Sequence, residues 1–96
     1  SWNNLCWFGS LNQNAAIAKK ACEKAVALEP ENGGYRDSRG VARALTGDKA
    51  GAIEDFQAFI DSPGGRNKEK RKEWIASLRS GKNPFTKTEL ENLRYE

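Results

Sequence analysis

The chain has 96 residues, of which 38% are hydrophobic and 30% charged, with a net charge of +3. That length sets one domain with a modest core and a thin stability margin. No apolar stretch exceeds a few residues, which excludes a membrane-spanning helix.

Taken in chain order, the elements are helical. Trp2 to Leu11 carries apolar residues at 2, 5, 6 and 8, close to a 3.6-residue period. Asn12, Gln13 and Asn14 form a polar turn. Ala15 to Leu28 has a broad apolar stripe built largely from alanine, the best helix former. Pro30 stops it, and Gly33-Gly34 reads as a flexible turn. A third helix is expected from about Tyr35 to Leu45, with Ser38, Val41, Ala42 and Leu45 facing inward. Gly47-Asp48 breaks it. The fourth, about Lys49 to Asp61, puts Ala52, Ile53, Phe56, Phe59 and Ile60 on one face, and Ser62-Pro63-Gly64-Gly65 ends it. The fifth, about Asn67 to Ser80, offers Trp74, Ile75 and Leu78 to the core, and Gly81 stops it. Thr86 and Glu89 have capping-box spacing ahead of a short last helix, Lys87 to about Arg94, carrying Leu90 and Leu93. No segment alternates as a strand does. The fold class is all-α, with six helices joined by short turns.

Two cysteines, Cys6 and Cys22, fall short of a disulfide framework. Set on apolar helix faces, they are expected to be buried free thiols, which suits a reducing, cytoplasmic location. Ser1 stands without a methionine and no charged-then-apolar leader is visible, so the chain reads as an excised or processed piece. Charge is uneven: residues 1–65 carry seven Lys/Arg and eight Asp/Glu (−1), and residues 66–96 carry nine and five (+4).

Shifting the sequence by 34 residues superposes Leu11 on Leu45, Asn14 on Asp48, Ala18 on Ala52 and Cys22 on Phe56. In this register the chain resembles the tetratricopeptide repeat over about residues 1–62. The residues that carry the likeness are Trp2, Leu5, Cys6, Ala18, Ala25 and Pro30 in the first repeat, and Gly40, Gly47, Asp48, Ala52, Ile53 and Phe56 in the second. Departures are Gly9 at an aromatic position, Gln13 at the turn glycine, Arg36 at the early aromatic and Phe59 at an alanine. The resemblance implies a right-handed αα-superhelix of two helix pairs, residues 1–32 and 33–64, closed by capping helices over 66–96. It also implies close crossings of Cys6 or Gly40 against Ala18 or Ala52. More loosely, the chain looks like C-terminal regions of large bacterial signalling proteins.

What the resemblance implies for function is a protein–protein interaction module. It would bind a peptide or helix of a partner, or dock to other domains of its own polypeptide. The family's ligand positions on the concave side fall at Asn3, Trp7, Ser10, Leu11, Asp37, Val41, Ala44 and Leu45. Trp2, Trp7 and Phe8 crowd one short helix, so at least one should face a groove or a partner, with burial of all three as the competing reading. Some family members hold a terminal carboxylate in a basic clamp. Asp37 at a clamp position would repel one, so a helix or apolar segment fits better as ligand. Arg36, Arg39 and Arg43 form a stripe that could meet acidic partner groups, against the plainer reading that they pair within the domain. The basic run Arg66 to Lys72 raises nucleic acid as an alternative ligand, set against a solvated cap surface. No histidine, phosphate loop or metal-ligand spacing is present, so no catalysis, cofactor or metal is expected.

Overall fold

The computed structural model describes residues 1–96 and contains six helices and no strand. They are α1 (Trp2–Leu11), α2 (Ala15–Leu28), α3 (Gly33–Leu45), α4 (Lys49–Asp61), α5 (Lys68–Arg79) and α6 (Lys87–Leu93). Side-chain caps fix four of the starts. Ser1, Asn32, Asp48 and Thr86 accept hydrogen bonds from the amides of Asn4, Tyr35, Gly51 and Glu89 at 2.9–3.2 Å. The Asn32 cap starts α3 two residues earlier than the sequence suggests, so Gly33-Gly34 is its first turn and not a flexible link. None of the helices is long and apolar enough to cross a membrane.

Helices α1 and α2 form one antiparallel pair, α3 and α4 the next, and α5 packs on α4. The close approaches differ in detail from the expected crossings. At the first crossing Gly9 meets Ala18, where an added Cβ would come within 2.7 Å of the alanine methyl. At the second, Gly40 makes room for the Phe56 ring, which an added Cβ would approach equally closely. The expected partners, Ala18 and Ala52, are both buried.

The cysteines correct the sequence reading outright. Cys6 and Cys22 are not free thiols but a disulfide joining α1 to α2, with Cα atoms 4.7 Å apart. With that, the argument for a reducing compartment loses its basis, because persistent disulfides belong to oxidising ones.

The main core lies between the repeat pairs and the cap. Phe56, Trp74 and Phe85 meet there with ring centroids 4.8–6.0 Å apart in tilted and edge geometries. Leu90 and Leu93 of α6 complete it, together with Leu11, Val41 and Ala44 from α1 and α3. Phe85, just ahead of the Thr86 cap, and Leu90 behind it share this cluster, as a hydrophobic staple requires.

Candidate functional site

One concavity is a groove of about 480 Å³. Its walls are the first turns of α1 (Asn3, Asn4, Trp7, Phe8), the start of α3 (Asn32 to Ser38) and the loop after α4 (Ser62 to Arg66). Asp37, Arg71 and Glu96 form its charged floor.

Arg71 organises that floor. Its Nε and Nη2 donate to the two Asp37 oxygens at 3.0 and 2.6 Å, a bidentate fork. Its Nη1 donates to Glu96 Oε2 at 3.0 Å, and Nη2 lies 2.8 Å from Glu96 Oε1. The guanidinium also covers the rings of Trp74 and Phe59, 4.5 and 4.8 Å from their centroids. One buried cation therefore serves two carboxylates, and the aromatic faces supply the rest of its solvation. Burial pushes the Asp37 carboxyl above its ordinary value even against the opposing Arg71 hydrogen bond and charge. Burial also works to raise Glu96, but its Arg71 contacts outweigh that and hold it below the ordinary range. Desolvation pulls the Arg71 guanidinium down, yet its two carboxylates win and hold it firmly charged.

The eight residues expected on the concave side divide three ways. Asn3, Trp7 and Asp37 line the groove. Ser10, Leu11, Val41 and Ala44 are buried: Leu11, Val41 and Ala44 share a core with α5 and α6, which fill the hollow these positions would have faced, and the Ser10 hydroxyl donates to the Cys6 carbonyl. Leu45 is half-buried in a separate recess with Gln13, Phe85 and Leu90. Of the α1 aromatics, Trp7 is half-buried, whereas Trp2 and Phe8 are exposed, so the burial of all three is excluded.

The arginine stripe is spent inside the domain. Arg36, Arg39 and Arg43 all converge on the buried Asp55 carboxylate at 2.9–3.2 Å. Arg39 and Arg43 also reach Glu23 on α2, and Arg43 reaches Asp48. The basic run is equally broken up. Arg71 is buried, Lys70 pairs with Glu89, Lys72 with Glu69, and Lys68 donates to the Ser62 carbonyl. Sequence reasoning missed Arg71 and Glu96 as groove residues. The signal for Arg71 was present: it precedes Trp74, Ile75 and Leu78 by three, four and seven positions, on the apolar stripe of α5.

No cluster of His, Cys, Asp or Glu in the structure could hold a metal ion. No family model matches the chain and no solved structure matches it. It is similar to Tetratricopeptide repeat protein 36 of Homo sapiens, 36% identical over 52 residues. The match covers 54% of this chain and 28% of that protein, so the chain spans little more than a quarter of its relative. Six helices packed in successive pairs and this partial relative support at most a TPR-like fold.

Proposed function

We propose that the chain is a protein-interaction module, and that the groove between α1, α3 and α5 receives a polypeptide segment bearing an acidic group. The carrying observation is the Arg71–Glu96 contact: a carboxylate already sits in the groove on a buried guanidinium. The repulsion expected from Asp37 does not arise, because Arg71 neutralises it. Glu96 then acts as an internal stand-in that an incoming carboxylate displaces. Asn3 and Trp7 supply a hydrogen-bonding amide and an apolar ring beside that position. The partner is a separate protein or another part of a longer polypeptide. A nucleic acid is disfavoured, since the basic run presents no continuous phosphate-facing row. The Cys6–Cys22 bond favours an oxidising location over the cytoplasm.

The test titrates two fluorescein-labelled peptides, one rich in glutamate and one in lysine, each carrying a phenylalanine. The acidic peptide should bind, weaken with salt, and gain about tenfold in affinity when Glu96→Ala empties the position. Equal affinity for both peptides, or no effect of Glu96→Ala, would reject an acidic ligand at Arg71.

A further inference from the structure

The Cys6–Cys22 bond is made by the helix that forms one wall of the groove. Asn3, Asn4, Trp7 and Phe8 build that wall. Cys6 sits on the same turns of α1, its sulfur joined to α2. Among residues 2–8 the buried side chain is Cys6. It packs in a satellite core with Ala15, Cys22 and Ala42, apart from the main aromatic core. Two alanines and two sulfurs bury little apolar surface, so packing there anchors the helix weakly once the covalent tie is gone. The other ties of these turns are Trp7 against the main core and Lys24 over the Trp2 ring. Helix α1 has no charged side chain with which to form an ion pair. Its composition does not make up the difference: Asn3, Asn4 and Gly9 are weak helix formers, and a helix of 10 residues is marginal by itself.

We infer that the Cys6–Cys22 bond is a redox latch on the groove. Oxidised, it holds the first turns of α1 in place as a wall. Reduced, it lets them open, and the groove loses its ligand. The inference rests on the groove being the binding site proposed above. The reductant is a dithiol. One of its thiolates attacks a sulfur of the bridge to form a mixed disulfide, and the other displaces the protein sulfur. Two electrons and two protons pass to Cys6 and Cys22, which become thiols, and the reductant becomes a disulfide. Both sulfurs belong to residues that are 0% exposed, so the attack waits for α1 to swing off α2. A ligand resting on Asn3 and Trp7 holds α1 closed and slows that step. The main core of Val41, Phe56, Trp74 and Phe85 lies on α3, α4 and the cap, which the bond does not cross-link, so the opening stays local.

Hydrogen–deuterium exchange of the full chain, with and without dithiothreitol, reads the latch without any ligand. Amides of α1 from Leu5 to Leu11 should exchange at least about tenfold faster in the reduced protein, while those of α3 and α4 keep most of their protection. The double variant Cys6→Ala, Cys22→Ala should reproduce the reduced pattern and ignore the reductant. The glutamate-rich peptide then reads the groove: its affinity should fall at least about tenfold on reduction, as the closed fraction falls. Unchanged exchange in α1, or equal loss of protection in every helix, overturns the inference, and so does equal affinity for the two forms. A peptide that binds neither form rejects the acidic-ligand reading alone, and the latch then stands or falls on the exchange.

Discussion

Arg71 shows how much a single residue holds. Replacing it with methionine keeps the stem against Phe59 and Trp74 but leaves Asp37 and Glu96 without their cation. Stranding a buried carboxylate costs about 3–5 kcal/mol. Arg71→Met should therefore lower the urea midpoint by that equivalent at neutral pH, and Arg71→Lys should recover only a minor part, because one ammonium cannot reproduce a fork shared between two acids. A loss below about 1 kcal/mol would mean the network is solvated and not structural. The residue was half legible. Its helical spacing from Trp74 places it on the inner face, but four basic neighbours, Arg66, Lys68, Lys70 and Lys72, hide it as one more surface charge. Its partner Asp37 lies 34 positions away, a separation no local pattern encodes. The Arg36–Arg39–Arg43 stripe was easier: three arginines at helical spacing need acids nearby, and the structure supplies Asp55.

At the scale of elements, the helix pair α1–α2 carries two features with measurable consequences. The disulfide closes a segment of 16 residues, and chain-entropy reasoning gives about 3 kcal/mol of stabilisation. Reduction should shift the melting transition downward, with two thiols becoming alkylatable only after a reductant is added. If two thiols react in the untreated folded protein, the bond is absent. Gln13, in the turn between the helices, sits at φ 64°, where a side chain is strained, and its counterpart Gly47 sits at φ 93°. Gln13→Gly should stabilise the protein by about 0.5–1 kcal/mol in chemical denaturation. The sequence pointed to this turn, because a turn glycine is missing there while Gly47 keeps one. The disulfide was not legible. Two cysteines on apolar faces satisfy packing as thiols or as a bridge, and only the registry of α1 on α2, set by Gly9 against Ala18, brings their Cα atoms to 4.7 Å.

For the whole molecule, the cap decides which surfaces remain open. By filling the hollow against Leu11, Val41 and Ala44, α5 and α6 convert expected ligand positions into core and leave a groove at the first turns of α1 and α3. Periodicity located these positions on the inner side of their helices, but it could not say whether a partner or the chain's own cap covers that side. Glu96 closes the groove floor, and acid should release it. Its carboxyl is held below the ordinary range in the fold, so its contribution is present above the unfolded value near about 4.3 and is lost as pH falls through the lower folded one. Asp37 has the opposite sign. Its raised carboxyl means the fold takes up that proton more readily than the unfolded chain, so mild acid favours the fold at this position. Simple acid titration of stability mixes the two. The difference between the parent and Glu96→Gln isolates one of them. That difference should be no more than about 1 kcal/mol at pH 7, given solvent screening of a partly exposed pair. It should fade toward zero as pH drops below the unfolded carboxyl value. If the difference stays constant to the acid limit, the Glu96 charge is not what holds the floor, and a carboxylate ligand at Arg71 loses its physical basis.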